Sequence, residues 1–418
     1  MIRIDEIYNN TFWPWLQQNR PGTRLFFCDP PGHTDPEHLF NLGTDSVKEN
    51  DYIFLHDQEP VDLNLFQPLF NEVKLRNLDL VFSDIERMAQ NSRIQWLDLD
   101  LRSEHIDWIS IQKKDPLEFY RNNYNKYVEL VNHNSANLKS CGHIIVSERG
   151  EYVEQLCSIY KWTTHYYFYH GWAALDWYRG YDRTYLIPRA HLRSPTRTFI
   201  SPNRIVGGHR DHRVLFLYNV FKSNLEHNHI SAPRTCPYEG VDIASIAQKY
   251  QDVYPDIVEV LNTAELPRLF ENETTQQMSS YHLTNFAEAA DSVIYVATET
   301  VYLGDRRHLT EKTFKAIALE MPFILVAPAG SLAYLREYGF KTFSPYIDET
   351  YDTIKDDIGR IEAVTQVLSE IQARSAAEKL ELWQNLLPRV EYNRNHFYRG
   401  GFEQILWQEL QAMLAEFK

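Results

Sequence analysis

Thr310, Glu311 and Lys312 place a hydroxyl, a carboxylate and an ammonium in consecutive positions at what reads as the start of a helix. The first N–H groups of a helix lack intrahelical partners, so such a start suits an anionic ligand. Glu299 ends the apolar run Ser292–Thr298, and Tyr302 stands just behind it. Asn203 and Arg204 follow a second run, Thr198–Ser201, and the planar guanidinium of Arg204 matches phosphate oxygens. Further carboxylates follow strand-like runs in the first half. Asp57 and Glu59 lie in His56–Pro60, after Asp51–Leu55, and Glu148 comes after His143–Val146. His170 follows His165–Tyr169. A carboxylate or imidazole so placed can take a proton from an acceptor.

Each of these groups also has a plainer role. Lys312 can be an exposed helix lysine, Glu311 a first-turn carboxylate favoured by the helix dipole, and Thr310 the N-cap. Asp57 or Glu59 can cap a helix whose first turn holds Pro60. Asp98 and Asp100 have the spacing of a metal-holding pair. They also fit the alternation of a half-exposed strand over Trp96–Leu101, and no metal ligand set is expected. The sixteen histidines include no HExxH spacing, and His227 and His229 read as a solvated loop pair. Gly207 and Gly208 fit no phosphate-loop fingerprint. Arg179, Arg183, Arg189, Arg193, Arg197, Arg204, Arg210 and Arg213 face only Asp182 and Asp211 over the same stretch. That is either a solvated linker or a cleft wall turned to phosphates.

The elements that would position these groups alternate between strand and helix. Short runs at Arg24–Cys28, Asp51–Leu55, Leu78–Phe82, His143–Val146 and His165–Tyr169 predict strands, with helices over Glu151–Tyr160 and onward to Tyr178. Further on, strands are predicted at Thr198–Ser201, Ser292–Thr298, Pro322–Val326 and Phe340–Phe343. Helices are predicted at His212–Lys222, Thr284–Ala290, from Thr310, and at Ser331–Tyr338 with Gly339 behind it. Asn228–Gly240 reads as a loop, Asp352–Leu386 as two amphipathic helices and Phe402–Phe417 as a terminal helix. This is an α/β pattern with parallel sheets. The 418 residues, 44% hydrophobic, suffice for two domains. No run of about 18 apolar residues is present, so no membrane span is expected. The N-terminus lacks the form of a signal peptide. The four scattered cysteines fit a reduced, cytoplasmic setting without structural zinc. A net charge of −15 disfavours nonspecific nucleic-acid binding.

Leu309–Phe314, the small residues Ala316 and Ala318, and the run Pro322–Val326 together resemble the nucleotide-sugar site of GT-B glycosyltransferases. The likeness is to the α-1,3-fucosyltransferase and exostosin-like group. It covers Asp291–Phe343, with a second patch at Phe199–Arg213. It implies two Rossmann-like domains facing each other across a cleft, with acceptor domain 1–195, donor domain 196–390 and a C-terminal helix 391–418 packed over the interdomain seam. By this likeness Lys312 contacts the donor diphosphate and Glu311 accepts from ribose hydroxyls. Arg204 reaches the diphosphate with help from Asn203, Glu299 faces the sugar or base, and Tyr302 stacks on the base. Family members often carry Phe-Glu-Asn where this chain has Thr298, Glu299 and Thr300. Leaving-group charge would be met by a fixed cation and a helix N-terminus, so the transfer is expected to be metal-independent, with no cofactor beyond the nucleotide sugar, and the resemblance implies that it is inverting. Its base would be Asp57 or Glu59, then Glu148, then His170.

The acceptor is open between a glycan, a lipid-linked saccharide and another hydroxyl. Phage enzymes of this style decorate hydroxymethylated bases, and the arginine-rich stretch would suit DNA. A non-catalytic nucleotide-sugar binding protein and a GT-B-like epimerase are the readings from other classes.

Overall fold

The computed structural model describes residues 7–22, 24–27, 39–41, 52–54, 143–151, 153–154, 163–181, 193, 195–237, 240–270, 273 and 283–416. The chain divides into two compact units. One comprises Ile4–Tyr167 with Ala412–Lys418, the other Phe168–Gln411 with Met1–Arg3.

In the first unit a π-turn at Tyr8–Phe12 runs into helix α1 (Trp13–Asn19). The rings of Tyr8, Phe12 and Trp13 pack on one another, and Phe12 packs on Tyr167. The strands are β1 (Leu25–Phe27), β2 (Leu39–Asn41), β3 (Tyr52–Phe54), β4 (His143–Val146), β5 (Arg149–Gly150) and β6 (Thr163–Tyr166). All but β5 form one parallel sheet of order β2-β1-β3-β4-β6. Phe26 lies beside Phe40 and Ile53, and Ile144 beside Ile53 and Thr164. From β1 the chain winds outwards through β2 on one side and through β3, β4 and β6 on the other. The order therefore reverses between β1 and β3.

The second unit starts with α2 (Tyr169–Leu175) and a π-helical turn at Asp176–Tyr181. There follow β7 (Arg197–Ser201), α3 (His212–Lys222), β8 (His229–Ile230), α4 (Ile243–Ala247), α5 (Ile257–Thr263) and α6 (Phe286–Ala290). Next come β9 (Ser292–Thr298), β10 (Arg306–Arg307), α7 (Glu311–Ala318) and β11 (Phe323–Val326). The chain closes with α8 (Ser331–Glu337), α9 (Asp357–Gln372), α10 (Ala376–Tyr398) and α11 (Gly401–Glu416), whose residues from Ala412 onward group with the first unit. The sheet β11-β9-β7-β8 is again parallel. Its winding repeats that of the first sheet: from β7 out to β8, then back past β7 to β9 and β11. The second unit is thus a doubly wound α/β layer, and the sheet of the first has the same strand order.

Parallel strands covered on both faces read as unbroken apolar runs, and every residue of β9 is buried. The crossovers β7-α3-β8 and β9-α7-β11 move outwards in opposite directions. Right-handed connections then put α3 and α7 on opposite faces. Accordingly, α3 packs on α5 and α9, whereas α7 packs on α2 and α10. Phe314 of α7 is fully buried among the rings of Phe168, Phe340, Phe397 and Phe402, which fixes the helix against the sheet.

Four sequence expectations are corrected. Phe340–Phe343 is not a strand. Asn393 donates to the Lys341 carbonyl and accepts from its N–H, both at 2.8 Å, and Glu349 takes the Phe343 N–H, so side chains replace a ladder. Asn228–Gly240 is not all loop. Asn228 accepts from the Thr198 N–H at 2.8 Å and lines up β8 beside β7. The strand expected at His165–Tyr169 is β6, Thr163–Tyr166. Beyond it the Phe168 N–H turns to the Glu409 carboxylate at 2.7 Å and α2 begins. The second amphipathic helix continues past Leu386 to Tyr398. Pro388 sits inside it, and Leu386, Val390 and Phe397 anchor both flanks in the core. The run Leu78–Phe82 lies outside the described residues, as do Asp98 and Asp100.

Candidate functional site

In a doubly wound sheet, ligands bind beyond the carboxyl ends of the strands, where the order reverses. In the second unit this is the edge where β7 and β9 end, at Ser201 and Thr298. Two loops leave it: 202–211, leading to α3, and 299–310, leading to α7. Asn203, Arg204, Glu299, Tyr302, Thr310, Glu311 and Lys312 all lie on these loops or on the first turn of α7.

Glu299 is fully buried and organises the second loop. Its carboxylate accepts from the N–H groups of Thr310 (3.2 Å) and Thr313 (3.3 Å), from the Thr313 hydroxyl (2.5 Å) and from the Thr310 hydroxyl. The N-terminus of α7 therefore already holds an anion, supplied by the chain. Thr310 caps the helix in turn, accepting from the Lys312 N–H. The backbone of Glu299 is fixed as well. Its N–H donates to the Val326 carbonyl, and its carbonyl accepts from His212 Nε2 and the Arg213 guanidinium.

With the helix end met from within, the charges that stay reachable on the first turn of α7 are those of Glu311 and Lys312. Their side chains are 15% and 29% exposed, and Lys312 Nζ lies 2.8 Å from Glu311 Oε1. Lys312 Nζ also donates to the hydroxyls of Thr300 (3.1 Å) and Thr310 (3.3 Å). Burial alone would raise the Glu311 carboxyl. The charges of Lys312 and His170 and the hydrogen bond from Lys312 outweigh it and bring it down to about 2. The Tyr178 hydroxyl donates to the Glu311 carbonyl at 3.3 Å and pins the first turn from α2's side. Beside the pair lie two buried imidazoles, His170 and His308, packed edge to face with ring centres 4.9 Å apart. Burial, then His170, Arg306 and Lys312, push the His308 ring well below the ordinary imidazole range, so it is neutral.

On the first loop, Asn203 is fully buried and wholly engaged. It donates to the Ser201 carbonyl and hydroxyl, accepts from the Thr298 hydroxyl at 2.8 Å, and its N–H donates to Ser231 Oγ. It bridges the two strand ends. Arg213 does likewise, donating to the carbonyls of Ile205, Thr298 and Glu299. Burial first, then neighbouring Arg210, pull its guanidinium down to about 9 against the pull of Glu299 and Glu311. Arg204, on the same loop, is half-buried, at the same sheet edge as Glu311 and Lys312. Its charge reaches buried Glu273, whose carboxyl is raised by burial despite bonds from Phe270 N–H and Ser231 and the charges of Arg204 and Lys315.

Tyr302 is 2% exposed. Its ring stacks on His212, the Arg360 guanidinium lies over it at 4.3 Å, and its hydroxyl donates to the Asp357 carbonyl. Glu148 is buried behind β4 in the other unit. Asp57 and Glu59 lie outside the described residues. In sequence they follow β3, the strand next to the reversal point of the first sheet.

Sequence reading missed the carboxylate clasp of Glu299 on Thr310 and Thr313, the bridging role of Arg213, and His308. The threonine spacing around Glu311 signalled the clasp. Nothing local signalled that a basic residue on α3 would reach the end of β9. The arginine-rich stretch proves largely structural among the described residues. Arg179 pairs with Glu403 at 2.7 Å, Arg193 donates to the carbonyls of Leu319 and Glu320, and Arg197 faces Asp291 at 4.0 Å. Among the described residues no group of three His, Cys, Asp or Glu could hold a metal ion, and no helix is long and apolar enough to cross a membrane.

No protein-family profile and no curated protein sequence matches the chain. Two solved structures are similar. One is an α,α-trehalose-phosphate synthase (UDP-forming) from Burkholderia xenovorans in complex with glucose-6-phosphate. It is 11% identical with a TM-score of 0.32, over 86% of this chain and 75% of that one. The other, from E. coli, is described as trehalose-6-phosphate bound with UDP-2-fluoro glucose. It is 11% identical with a TM-score of 0.34, over 92% of this chain and 99% of that one. At scores this low the fold rests on the chain's own strand order.

Proposed function

We propose that the chain is a glycosyltransferase that takes its sugar from a nucleoside-diphosphate donor. The observation that carries this reading is Glu311 and Lys312 on the first turn of α7, beyond the edge where β7 and β9 part. The likeness of Leu309–Phe314 to the fucosyltransferase and exostosin-like group points the same way. In this reading Glu311 accepts from the ribose hydroxyls. Lys312 and Arg204 meet the diphosphate and the charge that builds on it as the glycosidic bond breaks. A fixed ammonium and guanidinium aimed at a leaving group stabilise it without reorganisation, so the transfer needs no metal. Glu299, Thr310 and Asn203 hold these groups in place. Tyr302, enclosed by His212 and Arg360, supports the loop. An acceptor hydroxyl loses its proton to Asp57, Glu59 or Glu148, and inversion follows from a single displacement. The acceptor is a hydroxyl of a glycan or related molecule.

The test is release of nucleoside diphosphate from UDP-, GDP- and ADP-sugars in the presence of EDTA. One donor is expected to be turned over. Lys312→Ala is expected to lower the rate by roughly 10²–10³-fold, the scale for one lost charge-stabilising group. Turnover unchanged in Lys312→Ala would remove the assignment.

A further inference from the structure

His308 is 1% exposed, and neither of its ring nitrogens has a hydrogen-bond partner among the described residues. A buried polar group left in this state costs stability. Chains keep such a group where it meets something other than themselves. His308 lies on the 299–310 loop, two residues before the N-cap of α7, against His170 and within the electrostatic reach of Lys312. The surroundings narrow the ligand. Glu299 already occupies the helix N-terminus, and Glu311 neutralises Lys312 at 2.8 Å. Arg306 adds a further positive charge within electrostatic reach of His308. A neutral imidazole offers one N–H donor and one acceptor nitrogen, and Glu311 adds an acceptor. A neutral ring with adjacent hydroxyls both donates and accepts, and it matches the set.

We propose that His308 is a hydroxyl-recognition residue, binding the polyol ring of the ligand that sits on Glu311 and Lys312. This rests on the nucleotide-sugar reading of the site. The ring can be the ribose of the nucleotide or the sugar to be transferred, since both present adjacent hydroxyls. His170, packed edge to face, holds the imidazole in place.

The test compares wild type, His308→Phe and His308→Gln by calorimetry with UDP, 2′-deoxy-UDP and UDP-glucose, or with the guanine set if GDP is the nucleotide bound. Phenylalanine keeps a ring against His170 but removes both nitrogens. Because those nitrogens bond nothing among the described residues, His308→Phe is expected to melt no lower than wild type. If the ribose is read, wild type prefers UDP to its 2′-deoxy analogue by about tenfold, and in His308→Phe the preference falls to the part that Glu311 supplies. If the sugar is read, wild type binds UDP-glucose more tightly than UDP, and His308→Phe loses that gain. His308→Gln, which keeps a donor and an acceptor, retains part of either preference. A phenylalanine variant that melts lower yet binds all three ligands as wild type does would overturn the inference and leave the nucleotide-sugar reading standing. No nucleotide binding by wild type would end both. Should the variants fail to fold, the ring nitrogens of His308 in wild-type NMR spectra decide. A shift on adding ligand is expected, and unmoved resonances would overturn the proposal.

Discussion

Glu299 and Glu311 are two glutamates on one loop and helix start, and their surroundings set them apart. Glu299 receives four donors and no solvent, so it is part of the frame. Replacing it with alanine leaves the N–H groups of Thr310 and Thr313 and two hydroxyls without their acceptor. The expected loss is about 3 kcal/mol of stability, read as a lower urea midpoint at unchanged slope. Glu311 is reachable and tied to Lys312. Its carboxyl ionises at about 2 in the folded chain against an ordinary value of 4.5, so the pairing contributes stability above pH 4.5 that is lost as pH falls through about 2. Relative to Glu311→Gln, the wild-type chain is therefore expected to hold a constant advantage from pH 5 to 7, and the two melting curves should converge on acidification. A gap that persists at the lowest pH would contradict the pairing. The sequence displayed both glutamates as candidates. It did not show which was enclosed, because enclosure depends on Val326, His212 and Arg213, distant in the chain.

At the scale of elements, the site depends on how closely α2, α7, α10 and α11 approach. Gly171 makes one approach possible. A Cβ there would stand 2.8 Å from Phe402 Cζ and 3.0 Å from Leu406 Cδ2. Gly171→Ala is expected to cost about 1–3 kcal/mol, measured by thermal melting, because the Phe402 ring is enclosed by Phe314 and Phe340. An unchanged melting temperature would mean that α11 can shift freely. The β9-loop-α7-β11 unit was legible in sequence almost to the residue, since an unbroken apolar strand, a threonine cap and a small-residue helix each have a local cause. The Phe340–Phe343 segment was not. Its short run between two phenylalanines reads as a strand, but its backbone bonds go to Asn393 and Glu349, which only the tertiary fold brings near. The two-residue β8 is set by the Asn228 side chain rather than by a run of its own, so periodicity could not find it.

At the scale of the whole molecule, the two sheets share one winding order, and the loops that carry the candidate groups leave each at its carboxyl edge. The alternation of short apolar runs with helical stretches made this class of fold readable from the sequence. The eight arginines between residues 179 and 213 read as either a solvated linker or a basic cleft wall, yet several are bound to carbonyls and carboxylates of the same unit. With a net charge of −15, the chain is expected to show no saturable binding to plain duplex DNA at about 0.15 M salt, tested by fluorescence anisotropy. Tight binding with a steep salt dependence would reopen a DNA acceptor. The central claim is that the first turn of α7 receives a nucleoside diphosphate. The direct measurement is calorimetric titration of UDP, GDP, ADP and CMP, with EDTA present, into wild type and Lys312→Ala. One diphosphate is expected to bind wild type and to lose at least about tenfold in affinity with the variant, the scale of a charged hydrogen bond. Binding by none of the four, or binding that Lys312→Ala leaves untouched, would contradict the claim and leave Thr310, Glu311 and Lys312 as an ordinary helix start.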